Sequence, residues 1–171
     1  MKTKRLATMA ILTALAMALS WMERFIPLEL VIPLPGVKLG LANTVTLFAL
    51  CAIDTPAAFM ILVSRCLLGA LFSGNVTALA FSLTGGVLSM LSMAAVVRSR
   101  HLSVYGISVI GAAAHNCGQI IVAMLLMHSG YILAYLPYLL LIGTVCGIAT
   151  ATVAAGVIRA LKMGNIKMAE G

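Results

Sequence analysis

The chain has 171 residues, 63% of them hydrophobic and 9% charged. A soluble domain of this size could not cover its surface with so few polar groups, so the composition excludes one and points to an integral membrane protein. Lysines and arginines number 11 against 4 acidic residues, for a formal net charge of +7; in a membrane protein that excess marks the cytoplasmic face and the anionic inner leaflet, not nucleic acid.

Six apolar segments follow in chain order and make up a single transmembrane domain over residues 1–171. Segment one spans about 6–22. Ala10, Ala14 and Ala18 recur on one side of it, with Ala7 beside them. Small residues at this spacing let another helix approach closely, within the chain or from a partner membrane protein that docks there. The same stretch also reads as a signal peptide, with a basic start, an apolar middle and an A-x-A site at Ala16 to Ala18. Next comes "ERFIPLELVIPLPGVKLG", rich in proline and apolar residues. It reads as an outer lid loop over about 23–40, folded onto the membrane face.

Segment two, about 39–53, is too short to cross the bilayer comfortably, so irregular backbone from the loop must reach into the membrane. Protein or a water-filled cavity must then surround that backbone. Segment three covers about 56–72; Asp54 and Thr55 can cap it and Pro56 suits its first turn. Segment four, about 76–97, has Asn75 as a cap and a stripe of Ala78, Ser82, Gly85, Ser89 and Ser92. Segment five, about 104–127, has Ser103 as a cap, and segment six covers about 131–161 with Gly143, Gly147 and Ala151 spaced by four. The stripes in segments four and six read as close packing inside the protein.

With the N-terminus inside, Lys2, Lys4, Arg5, Arg98, Arg100, Arg159, Lys162 and Lys167 are all cytoplasmic, Arg24 and Lys38 are outside, and Arg65 lies within a span. The expected fold is therefore an all-α bundle of six transmembrane helices with both termini in the cytoplasm.

Polar groups in hydrocarbon need a reason. Arg65 sits near the middle of segment three, where it either pairs with helix-end carbonyls and polar neighbours or serves a ligand. Segment five carries "AAAHNCGQ", which puts His115, Asn116 and Gln119 near the membrane centre. His115 and Gln119, four apart, share a face. The three read as the lining of a polar cavity or as satisfied interior groups. Lys38 stands at the outer rim and Asn43 just inside, a cation and an amide at the mouth of a span. Lys38 could equally be a solvated loop lysine and Asn43 a capping group. The ligand-binding reading is an outward-facing site for an anionic or strongly polar small molecule under a proline-stiffened lid.

Catalysis and intrinsic cofactors are not expected. The chain has no Walker A sequence, and Asp54 is its one aspartate, so the carboxylate cluster that metal-dependent diphosphate chemistry needs is missing. No metal site is read. Cys51, Cys66, Cys117 and Cys146 all sit in apolar runs without a C-x-x-C pair and read as small packing residues.

The blocks "PGVKLGLANTVTLFAL", "SRCLLGALFSG", "SLTGGVLSML" and "GAAAHNCGQIIVA" resemble the Gx transporter family, commonly labelled heptaprenyl diphosphate synthase component I, over roughly residues 6–160. That family is related to the S components of energy-coupling factor (ECF) transporters. The resemblance implies a six-helix protein of the bacterial plasma membrane that captures a nutrient from outside. It would associate with a T component and cytoplasmic ATPases through Ala10, Ala14 and Ala18, and the first outer loop would close over the ligand. The family's polar blocks fall on Lys38, Asn43, Arg65, His115, Asn116 and Gln119. Neighbouring genes in the family make a flavin, a quinone or an isoprenoid precursor the expected ligand. Two rival readings stay open. One is a noncatalytic membrane partner of a polyprenyl diphosphate synthase, with Arg24, Lys38 and Arg65 greeting a diphosphate. The other is a membrane redox subunit working between quinone and flavin.

Overall fold

The computed structural model describes residues 2–25, 38, 40–98 and 102–169, with backbone alone at 2, 24 and 162–169. Six α-helices run in chain order: α1 Lys2–Met22, α2 Asn43–Ala52, α3 Thr55–Ser73, α4 Val76–Val96, α5 Val104–Met127 and α6 Leu136–Ala169. Short 3-10 turns lie at Glu23–Phe25 and Gly130–Tyr135, and no strand occurs among the described residues. Five helical stretches are long and apolar enough to cross a membrane: Thr3–Met22, Thr55–Ser73, Val76–Val96, Val104–Met127 and Gly130–Leu161. The protein is a multi-pass membrane protein.

The helix starts follow local chemistry. Asp54 accepts from the Ala57 amide at 2.8 Å, Asn75 from the Ala78 amide at 2.9 Å, and Ser103 from the Gly106 amide at 3.3 Å. Each side chain satisfies an amide that a helix start leaves without an internal partner. The segment expected over 131–161 divides. A 3-10 turn comes first, and α6 begins at Leu136. Pro137 explains the break, because within a continuous helix its ring would clash with the carbonyl of Leu133, whereas the first turn of a new helix accepts it.

The short helix α2 is the hub. Its ten residues span about 15 Å, roughly half the hydrocarbon thickness. It contacts each of the other five helices, and Asn43 to Leu47, Ala49 and Leu50 are all buried. A helix that is apolar all round is stable only when enclosed in this way. Val45, Leu47 and Leu50 pack with Met9, Leu12 and Ala16 of α1 and with Ala57, Ala58 and Ile61 of α3. On the other side, α5 lies between α4 and α6. Small residues make that contact close: Ser82, Gly85 and Ser89 of α4 and Gly143, Gly147 and Ala151 of α6 are buried. A Cβ at Gly85 would stand 2.9 Å from the His115 ring, and one at Gly143 would overlap the Asn116 amide.

Arg5, near the start of α1, donates to Asp54 at 2.6 Å. This ion pair sets the N-terminal end of α1 beside the α2–α3 turn. Both groups are substantially exposed, so the pair marks register more than stability. Ala7, Ala10, Ala14 and Ala18 are exposed on α1, while Met9, Leu12 and Ala16 form its buried side. Residues 26–37 and 39 of the expected lid, and the side chain of Arg24, lie outside the described residues.

Candidate functional site

Three polar contacts hold the backbone that leads into α2. Gln119 of α5 is fully buried; its Oε1 accepts from the Lys38 amide at 3.3 Å and its Nε2 donates to the Lys38 carbonyl at 3.1 Å. The same Nε2 lies 2.8 Å from His115 Nε2, and an amide nitrogen only donates, so the histidine accepts. Glu23, just past α1, is buried and its Oε1 accepts from the Leu41 amide. Irregular backbone at membrane depth has no water to bond with, so side chains must take that role. Gly40 completes the turn at φ 81°, a left-handed conformation that glycine adopts without strain, and it faces the His115 ring.

Two cations result from this arrangement. The Arg65 side chain is 7% exposed; its Nη2 donates to Asn43 Oδ1 at 3.1 Å and its Nη1 approaches Ser20 Oγ at 3.4 Å. Its Nε has no hydrogen-bond partner among the described residues. Lys38 Nζ donates to Ser82 Oγ at 3.0 Å. Both cations line one cavity of about 510 Å³ between the C-terminal half of α1, the C-terminal half of α3 and the start of α4. Ser20, Trp21, Phe72 and Ser82 also line it. Its size matches small-molecule sites in general, and its make-up does too: an apolar wall with a few convergent polar groups.

A family model described as heptaprenyl diphosphate synthase component I matches residues 12–157. The chain belongs to that family. The match includes every residue of this cavity and both ends of the Lys38–Gln119 pairing. No curated protein and no solved structure matches the chain.

The residues singled out from the sequence part into two groups. Lys38 and Arg65 face the cavity, with Asn43 behind Arg65. Gln119 holds the Lys38 backbone, His115 bonds to Gln119 and packs beside Gly40, and neither side chain lines the cavity. Asn116 faces the other way: its Nδ2 donates to the Leu139 carbonyl at 2.6 Å and ties α5 to α6. Ala18 lines the cavity, while Ala10 and Ala14 line a second groove of about 350 Å³ farther along α1. Glu23, Ser20 and Trp21 were not among the residues singled out, and Ser82 stood only in the segment-four stripe taken for packing. Glu23 had a usable signal. Only four acidic residues exist, and a buried arginine calls for a nearby carboxylate.

Burial pushes the Glu23 carboxyl above its ordinary value of 4.5; the Leu41 amide and the Arg65 and Lys38 charges pull the other way and offset part of the rise.

Proposed function

We propose that this protein is the substrate-binding subunit of a membrane transporter, similar to the S components of ECF transporters. It captures a small anionic or amphipathic molecule from the outer side. The observation that carries this reading is the cavity with Arg65 and Lys38 on its wall. The guanidinium of Arg65 and the ammonium of Lys38 are groups that bind oxygen anions. A flavin, a quinone or an isoprenoid precursor are the ligand classes that such a cavity suits. The chain acts without catalysis and without an intrinsic cofactor.

Because the chain carries no nucleotide-binding loop, energy for release must come from other subunits. The exposed alanine face of α1 is the proposed seat of a T component, which joins the chain to its ATPases. On this reading the α1 N-terminus lies in the cytoplasm of a bacterial plasma membrane and the cavity at the outer end, an orientation that the distribution of basic residues supports. Purification from native membranes in mild detergent tests this reading: the T component and ATPases should accompany the protein, and uptake should need ATP. Uptake that persists without ATP would contradict it.

A second reading has the family description behind it: a noncatalytic membrane partner of a polyprenyl diphosphate synthase. In that case, adding the protein should raise the yield or chain length of the soluble subunit's product. An unchanged product would remove the reading.

A further inference from the structure

Arg65 and Glu23 join the same two pieces of chain. Arg65 approaches Ser20, near the end of α1, with Nη1 at 3.4 Å and donates to Asn43, at the start of α2, from Nη2 at 3.1 Å. Glu23 follows Ser20 by one turn, and its Oε1 accepts from the amide of Leu41, just ahead of Asn43. Both side chains are buried. The charge of Lys38 bears on the same carboxylate, so two cations and one acid form a single cluster. Arg65 and Lys38 line the cavity and Glu23 does not. The acid therefore sits behind the cations as a resident counter-ion.

Few other charges reach this cluster. Among the described residues the acidic side chains are Glu23 and Asp54, and Asp54 is held by Arg5 at 2.6 Å beside the α2–α3 turn. Helices α2 and α4 carry no charged residue. The other titratable neighbours are Cys66 beside Arg65 in the cavity wall, Cys146 of α6, which feels the Glu23 charge, and His115 of α5, which packs beside Gly40 and accepts from Gln119. Arg159 stands about 20 Å beyond Cys146 along α6.

Resting on the cavity reading above, we infer that Glu23 couples ligand binding to proton uptake: an anion entering between Arg65 and Lys38 competes with Glu23 for their charge, and Glu23 takes a proton from solvent in response. With Glu23 ionised, the two cations and one carboxylate leave one net positive charge; with Glu23 protonated, both positive charges face the ligand. The protonated form attracts an anion more strongly, and a bound anion favours protonation by the same factor. Burial already disfavours the ionised carboxyl, and the anion adds to that effect. The Leu41 amide keeps its partner throughout, because a protonated carboxyl retains an oxygen that accepts. The backbone leading into α2 thus stays in place while the charge behind it changes. Binding raises the Glu23 value, so affinity is highest below the unliganded value and falls as pH rises from there to the liganded one.

Hexanesulfonate, which stays a monoanion at every pH used, is the probe, with the full-length protein in phosphatidylcholine nanodiscs and Trp21 emission as the readout. Trp21 lines the cavity and is the one tryptophan in the chain. Wild-type affinity should fall about tenfold between about pH 5 and about pH 8, as for one unit of linkage. Glu23→Gln keeps an acceptor for the Leu41 amide and removes the charge. It should bind at about pH 8 as the wild type binds at about pH 5, with no dependence on pH. Equal wild-type affinity at both pH values would overturn the coupling. So would a fall that persists in Glu23→Gln, since His115, Cys66 and Cys146 remain in that variant. Calorimetry of the wild type in buffers of different ionisation heat needs no variant: binding should take up protons, and zero uptake between those pH values would overturn the coupling. An emission response that is absent at both pH values, or that survives in Arg65→Gln, removes the cavity reading and the coupling with it.

Discussion

Gln119 pairs with Lys38 as one strand residue pairs with another: its side-chain amide accepts from the Lys38 amide at 3.3 Å and donates to the Lys38 carbonyl at 3.1 Å. Residues 81 positions apart are joined by this contact, which holds irregular backbone beside the middle of a membrane helix. Replacing Gln119 with Leu keeps similar bulk and strands both backbone groups. Each buried group left unmade costs about 1–3 kcal/mol. Gln119→Leu should lower the unfolding temperature in detergent and weaken ligand retention along with it. Normal stability and retention would show that the pairing is dispensable.

Close packing around the polar residues makes a steric prediction. Gly85→Ala puts a methyl group 2.9 Å from the His115 ring, and Gly143→Ala drives one into the Asn116 amide. Overpacking of this kind costs about 1–3 kcal/mol. Gly69→Ala is the control, since a Cβ there meets nothing within 4 Å. Thermal unfolding of the three variants should separate the first two from the third.

Glu23 makes a pH prediction. Burial raises its carboxyl above 4.5, so the charged form is disfavoured in the folded protein. The associated stability is full below the unfolded value and is lost as pH rises through the raised one. Wild type should therefore gain stability over Glu23→Gln as pH falls from about 8 toward about 4.5. The check is the difference in unfolding temperature between the two proteins across that range. A flat difference would mean that the Leu41 amide and the charges of Arg65 and Lys38 cancel the effect of burial, and a reversed one that they outweigh it.

Ala14 tests the docking face. It is exposed, so Ala14→Leu should fold normally and yet block close approach by a partner helix. Co-purified T component and ATPases should fall to background in the variant. An intact complex would place the partner elsewhere.

Much of this fold was legible because its signals are local. Asp54, Asn75 and Ser103 cap helices three residues ahead, and the spans they open follow from length and hydropathy. Asn43 and Arg65 stood out as polar residues in apolar runs, but their meeting depends on how α2 turns against α3, which no spacing records. The trio on α5 looked like one lining and is not. His115 and Asn116 are neighbours in sequence and so point about 100° apart on a helix. One faces Gln119 and Gly40, the other faces α6. Glu23 went unseen because a carboxylate just past a span reads as solvated, whereas the Leu41 and Gly40 amides and the two cations make its burial tolerable.

On the function proposed above, the Arg65–Lys38 cavity holds a small anionic or amphipathic ligand. The most direct test of that claim is to purify the protein in mild detergent, extract it with solvent, and examine the extract by absorbance and mass spectrometry beside extracts of Arg65→Ala and Lys38→Ala. A flavin, quinone or prenyl phosphate should be present in the wild type and lost from both variants. A ligand retained equally by all three proteins would contradict it.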